Sequence, residues 1–371
     1  MSDQALPPVA VPPCGIIGIL GGGQLGRMLA LAAAEMGLNC HIYCPDPKSP
    51  AFDVVSRSTC ADYDDETALA AFSRDVDAVT FEFENVPPDT VDFLSSQLPV
   101  RPGGKALRIT QDRLKEKRFI ESLGRSCAPF MAVDSLDDLI RGVKRLSYPA
   151  ILKTRRFGYD GKGQVMLHEG DDPALAFAAI GEAPAIVEGF VPFAKEISAL
   201  VARGRDGRIA LYDIAENHHE NHILRVSRVP AAIEPSTREA ALEIARHAVE
   251  RLDYVGVLAI EFFVLEEEAK ERLVINEFAP RVHNSGHWTQ DGCAVSQFAQ
   301  HIRAVAGWPL ARPVRLADVE MTNLIGDEVN GWRTLALEPA AVVHFYAKAE
   351  SREGRKMGHI NRLTTLSRSR R

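Results

Sequence analysis

A chain of 371 residues with 46% apolar and 25% charged residues is long enough for two or three domains around a sizeable core, in the proportions of a soluble globular protein. Its formal net charge of -7 argues against a protein that binds nucleic acid over its surface. No signal-peptide pattern opens the sequence and no apolar run is as long as a membrane span, so a cytoplasmic protein that avoids membranes is expected.

Residues 1–13 carry Pro7, Pro8, Pro12 and Pro13 and read as a loose extended arm. Gly15 to Leu20 reads as a short buried strand that turns through Gly21 to Gly26 into a helix with Leu25, Met28, Leu29, Ala32 and Met36 at helical spacing. Gly37 is a fitting stop. Strands at 40–44 and 78–83 complete a β-α-β pattern, a doubly wound parallel unit over 14–109. Gly21, Gly23 and Gly26 satisfy G-x-G-x-x-G, and Asp46 sits near the end of the next strand, so a nicotinamide dinucleotide is one ligand for this turn. The same helix N-terminus exposes its amides to any phosphate or polar group, and Gln24-Leu25 suits another ligand. The six cysteines (14, 40, 44, 60, 127, 293) lack paired spacing and read as reduced thiols.

The middle unit, 110–312, begins with a helix over 112–123 and continues through short strands at 150–153 and 185–188. Gly158-Tyr159-Asp160-Gly161-Lys162-Gly163-Gln164 is not a Walker loop. Its glycines suggest a mobile flap whose amides wrap phosphates, with Lys153 adding a point charge, against the alternative of a tight hairpin with a surface lysine. Glu188-Gly189-Phe190-Val191 reads as a linker between strands and helix whose backbone suits an adenine edge, with Glu196 placed for ribose hydroxyls. His218 to His222 fails the zinc-protease spacing and reads as a solvated loop with one histidine touching a ligand. Ser236-Thr237-Arg238-Glu239 is a capping box opening a helix with Leu242, Ala245, Val249 and Leu252 on one face.

Two strands, 257–264 and 273–277, flank a charged turn at 266–272 and predict a hairpin. Glu261 then lies opposite or one place off Glu277, with Cβ atoms roughly 5 Å apart. Carboxylates so close repel by about 1–4 kcal/mol and call for a shared proton, an arginine or a divalent cation. Asn276 adds a hard oxygen, which suits Mg²⁺ shared with substrate phosphates. Arg281, His283, Asn284, Ser285 and His287 follow in a dense polar loop expected to bind or activate substrate. A small terminal unit spans 313–371, with a strand at 342–346 and a basic end. There Lys348, Arg355 and Lys356 flank a glycine and suit one phosphate monoester.

These pieces resemble the ATP-grasp superfamily and, within it, the 5-(carboxyamino)imidazole ribonucleotide synthase family. The resemblance rests on Pro280 to Thr289, Gly22 to Met28, Gly158 to Gly163 and Gly354 to His359, and covers nearly the whole chain after the arm. It implies an α/β, ATP-grasp fold with an N-terminal doubly wound parallel domain and a small C-terminal domain. It also implies a homodimer that uses ATP, Mg²⁺, bicarbonate and 5-aminoimidazole ribonucleotide. The implied ATP contacts are Arg113, Lys153, Gly158, Tyr159, Asp160, Gly161, Lys162, Gly163, Gln164, Glu188, Gly189, Phe190, Val191, Glu196, His219, Asn276 and Glu277. Glu261 and Glu277 would hold the metal; Arg281 would steady carboxyphosphate. Lys153, His283 and Asp160 complete the catalytic set, Asp160 to orient the amine or take its proton. Gly23, Gln24, Leu25, Glu82, Asn284, Ser285 and His287 would line the ribotide pocket, and Lys348, Arg355 and Lys356 its phosphate end. A formate-dependent glycinamide ribonucleotide transformylase, a biotin carboxylase, a nicotinamide-dependent dehydrogenase and a noncatalytic ribotide-binding protein are the competing expectations.

Overall fold

The structure, a computed structural model, describes residues 10–158, 161–268 and 270–366. Strands β1 (Ile16–Leu20), β2 (Asn39–Tyr43), β3 (Arg57–Thr59) and β4 (Ala78–Phe81) form a parallel sheet in the order β3-β2-β1-β4. The run Ile16-Ile17-Gly18-Ile19-Leu20 is apolar throughout because both faces are covered. Ile17 and Ile19 pack with Leu29 and Ala33 of the helix Gln24–Glu35, while Leu20 packs with Leu69 and Phe72 of the helix Glu66–Arg74.

β5 (Phe130–Val133), β6 (Ala150–Thr154), β7 (Gln164–Leu167) and β8 (Ala185–Gly189) form a second sheet, antiparallel, in the order β5-β8-β6-β7. The helices Leu136–Leu146 and Pro173–Ala179 cover it through Leu139, Val143, Ala176 and Phe177.

The largest sheet is antiparallel and contains β9 (Lys195–Arg203), β10 (Ile209–Leu211), β11 (Ala215–Glu220), β12 (Ile223–Val229), β13 (Gly256–Glu267), β14 (Lys270–Ala279), β15 (Asp318–Ile325), β16 (Ala341–Phe345) and β17 (Lys356–Thr364). Its order is β14-β13-β9-β11-β12-β15-β17-β16, with β10 against β9. Alternation divides it cleanly. Ile197, Ala199, Val201, Leu258 and Ile260 pack under the helix Pro235–Arg251; Leu200, Ala202, Val257 and Ala259 face Trp288, Phe298 and Ile302 on the other side. That second cluster also contains Leu29 and Ala33, so the parallel sheet and the large sheet share one core.

Three local expectations are corrected. The helix expected from Ser236 starts one residue earlier, with Pro235 in its first turn, where a missing N–H is harmless, and Glu234 as a cap without a side-chain bond; the capping box does not form. His218 and His219 lie on β11, and His222 sits at the β11–β12 turn with φ +65°, so the segment is a hairpin. Glu188 and Gly189 end β8, and 190–194 joins it to β9, so this linker connects two strands of different sheets. The residues after 313 extend the large sheet through β15, β17 and β16.

Because one core joins two sheets, denaturant unfolding followed at both should give a single transition. Phe298→Ala, removing a ring from that shared core, should lower stability by about 3–5 kcal/mol without splitting the transition. Two separate transitions in the unmutated protein would contradict the shared core.

Candidate active site

Glu261 pairs with Glu277 in the β13–β14 register, and the register then skips a residue, pairing Phe262 with Ile275. The skipped residue is Asn276. In an unbroken strand Asn276 and Glu277 would point to opposite faces; the bulge lets both line the same cavity as Glu261. Burial, and then the Glu277 carboxylate, push Glu261 up to about 7. Arg113 Nη1 lies 3.4 Å from Glu277 Oε2, and His283 Nε2 lies 3.6 Å from Glu261 Oε1. Among the described residues no three His, Cys, Asp or Glu side chains form a metal cage. Two carboxylates and one amide oxygen fit Mg²⁺, which keeps much of its coordination for water and phosphates.

The cavity, about 870 Å³, lies between the large sheet, the β5–β8 sheet and the C-terminal end of the parallel sheet. On its nucleotide side, Lys153 Nζ lies 2.6 Å and Lys117 Nζ 2.9 Å from the two oxygens of Glu188. Lys117 also donates to the Asn276 carbonyl at 3.0 Å. Glu188 is 3% exposed, so two ammonium groups, not solvent, keep it ionised. Lys153 and Arg113 line this wall and give it positive charge suited to phosphate, with Lys117 behind it sharing Glu188. Burial lowers the Lys153 pKa, with Glu188 opposing and Lys117 and Arg113 adding to the fall. Glu196 meets His219 Nδ1 at 3.1 Å; burial lowers that histidine's pKa, but Glu196 more than offsets it. Gly161, at φ +80°, would place a Cβ 2.9 Å from the His222 side chain, so Gly161 rests directly on the β11–β12 turn.

On the opposite side, the Glu82 carboxylate accepts from the Gly23 amide at 2.5 Å and the Gly26 amide at 2.7 Å. The helix N-terminus that a dinucleotide pyrophosphate would need is therefore filled by the chain's own Glu82 side chain. A Cβ at Gly21 or Gly23 would fall within 2.7 Å of Glu82, which is why this turn carries glycine. The nicotinamide expectation is overturned on this ground. Glu84, in the turn after β4, also lines the cavity and pairs with Arg281 through both Nε and Nη2.

The polar loop is held from behind. Gln297 accepts from the His283 amide and donates to the His283 carbonyl, and Asn284 exchanges two amide bonds with Asn323 of β15. Ser285 N–H donates to His283 Nδ1, leaving the Nε2–H tautomer facing Glu261; burial and nearby Arg281 keep the ring neutral.

Of the expected residues, Gly23, Gln24, Leu25 and Glu82 line the cavity on one side, and Arg281, His283, Asn284 and Lys356 line its middle. Arg113, Lys153, Gly158, Gly161, Gln164, Phe190, Glu196, His219, Glu261, Asn276 and Glu277 line the rest. Tyr159 and Asp160 lie outside the described residues. Of those that are described, Lys162, Gly163, Glu188, Gly189, Val191, Ser285, His287, Lys348 and Arg355 sit outside the lining. Ser285 and His287 are fully buried: Ser285 bonds Ser198 and His283, and His287 meets Gln297, so their polarity supports the loop. Lys348 donates to the Lys356 carbonyl and Arg355 to the Glu350 carbonyl. Sequence reasoning missed Glu84, Glu116 and Lys117. Glu116 accepts from the Phe278 amide at 2.7 Å and is pushed up to about 8 by burial and by Glu277.

Two antiparallel sheets closing on a cleft, carboxylates in one jaw and lysine in the other, define the ATP-grasp class of enzyme. The model of the ATP-grasp domain matches residues 118–298, that of the ribonucleotide synthetase preATP-grasp domain 15–111, and that of the phosphoribosylaminoimidazole carboxylase C-terminal domain 320–369. The N5-carboxyaminoimidazole ribonucleotide synthase of Brucella melitensis is 50% identical over 356 residues, covering 95% of this chain and 98% of that protein. A crystal structure of an N5-carboxyaminoimidazole ribonucleotide synthetase in complex with ADP superposes with a TM-score of 0.92 at 40% identity, covering 96% of this chain and 94% of that one. The Aspergillus clavatus enzyme, in complex with ADP and 5-aminoimidazole ribonucleotide, superposes at 0.88 with 28% identity, over 95% of both chains. The chain belongs to the N5-carboxyaminoimidazole ribonucleotide synthase family.

Glu261 and Glu116 titrate at about 7 and about 8 when folded, above their ordinary 4.5. The folded state therefore holds these protons more tightly, a stabilisation complete below the unfolded value and lost as pH rises through the folded ones. Without divalent cation, the melting temperature should fall between about pH 5 and about pH 8.5, and Glu116→Gln should flatten part of that fall. A melting temperature that stays level across this window would remove the clustered-carboxylate account.

Proposed function

We propose that this chain joins bicarbonate to the amine of 5-aminoimidazole ribonucleotide at the expense of ATP, giving N5-carboxyaminoimidazole ribonucleotide, ADP and phosphate. The observation that carries this reading is a single cavity in which the Glu261/Glu277 pair and Lys153 face the Arg281-His283-Asn284 loop and the Gly23–Leu25 turn. Nucleotide, carboxyl donor and ribotide thus have adjoining walls.

Bicarbonate is a poor electrophile. One of its oxygens attacks the γ-phosphorus, the bridging oxygen leaves with ADP, and carboxyphosphate results. The amine nitrogen then takes the carboxyl carbon, phosphate leaves with the bridging electron pair, and the nitrogen loses a proton. Lys153 and Arg113 stabilise charge that grows on the phosphates during transfer. Glu261, Glu277 and Asn276 would hold Mg²⁺, which supplies charge neutralisation across the phosphates. Arg281 holds the carboxyl group, His283 offers a neutral N–H donor, and Asp160 is assigned either to orient the amine or to take its proton. Gly158 to Gln164 close over the phosphates, the 188–191 backbone meets the adenine, and Glu196 with His219 meets the ribose. Gly23, Gln24, Leu25, Glu82 and Asn284 surround the ribotide, with Lys356 toward its phosphate.

Units of 14–109, 110–312 and 313–371, a homodimer and a cytoplasmic location belong to the same proposal. Among the described residues no helix is long and apolar enough to cross a membrane.

ADP release from Mg-ATP and bicarbonate, measured with and without 5-aminoimidazole ribonucleotide, tests it. Release should depend on the ribotide, and Lys153→Met or Glu277→Gln should lower turnover by about 10²–10³-fold. ATP binding with no ribotide-stimulated release, or stimulation by glycinamide ribonucleotide and formate instead, would sink the substrate assignment.

A further inference from the structure

An arginine has five N–H donors, and at Arg281 three are already committed. Nε and Nη2 donate to the two Glu84 oxygens, the latter at 3.1 Å, and Nη1 donates to the Val282 carbonyl at 3.1 Å. Among the described residues the second N–H on Nη1 and the second on Nη2 have no partner, and Arg281 lines the cavity. Two donors on neighbouring nitrogens are the set that grips a planar carboxyl group bidentately.

Arg281 has other suitors. The carboxylates of Glu277 and Glu82 also act on it, and Glu277 belongs to the acidic pair on the β13–β14 hairpin. What keeps the guanidinium from turning toward that pair is the bidentate grip of Glu84. Glu84 is itself anchored: Gln111 Nε2 donates to the carbonyls of Glu84 and Val86, both at 2.7 Å. Glu84 comes from the loop after β4 and Arg281 from the loop after β14, so the grip crosses from the parallel sheet to the large sheet.

We propose that Glu84 is a positioning residue for carboxylation: it fixes the Arg281 plane so that two N–H donors face the carboxyl donor, and it keeps Arg281 away from the Glu277 side. The inference rests on the reading above, in which bicarbonate supplies that carboxyl group. Glu84 touches no reacting atom; it acts through Arg281.

A structural role alone would lower folded yield or affect all substrates alike. A positioning role raises the KM for bicarbonate selectively. Glu84→Gln should raise that KM by about tenfold or more while the KM for ATP stays within about twofold. In an Arg281→Lys background, where no fork exists to orient, Glu84→Gln should add less than about twofold. Glu84→Asp, which keeps the charge but is one methylene shorter, gives the same comparison if the glutamine variant does not fold. A folded variant with an unmoved bicarbonate KM, or effects that multiply across the Arg281→Lys pair, overturns the proposal while ribotide-dependent ADP release by the unmutated enzyme stands. Loss of that release in the unmutated enzyme overturns the underlying reading as well.

Discussion

Two lysines closed on one buried carboxylate tie the nucleotide side of this molecule together. Glu188 belongs to β8 and Lys153 to β6 of the small antiparallel sheet, Lys117 to the helix Arg113–Ser122, and Lys117 also bonds the backbone of β14. Taking three charges out of water is tolerable only with close pairing, and removing Glu188 would leave two buried ammonium groups facing each other without their counterion, at a cost of several kcal/mol. The triad therefore couples the small sheet, one helix and the Asn276 backbone of the acidic strand. The phosphate-facing lysine is held in place because its counterion is shared.

The acidic jaw obeys the opposite logic. Glu261 and Glu116 are buried beside the half-exposed Glu277, and their crowding is relieved by protons on the buried two and by Arg113 on Glu277. One wall is over-supplied with cations and the other with anions. A Mg²⁺-nucleotide, negative at its phosphates and positive at its metal, complements both at once. A one-residue bulge at Asn276 sets the aim, turning two consecutive side chains toward one space.

Much of this was legible. The parallel unit, the Glu261–Glu277 opposition and the glycine loop follow from runs of apolar residues interrupted by a carboxylate or by glycine, signals set by neighbours in sequence. What stayed hidden depends on neighbours in space. Arg113, Glu116, Lys117 and Ile120 do fall on one helical face, but a face that is mostly charged reads as solvent-facing until the acidic strand covers it. Glu84 passed unnoticed because its partner lies 197 residues away. The error at Ser285 and His287 ran the other way. A crowd of polar side chains reads as a substrate pocket, whereas two of these five are fully buried and pair with other buried side chains, Ser198 and Gln297. Helix entry at Pro235 turned on which of two adjacent start signals the chain used.

The turn after β1 has one more consequence. In dinucleotide enzymes a glycine-rich turn of this kind is completed by a cofactor that arrives from solution. Here the completing carboxyl group is covalently part of the chain, so the turn is ordered during folding and its ordering entropy does not weigh on ribotide binding. A signature that elsewhere announces a diffusible phosphate has become an internal rivet, which leaves this edge of the pocket rigid before any substrate enters.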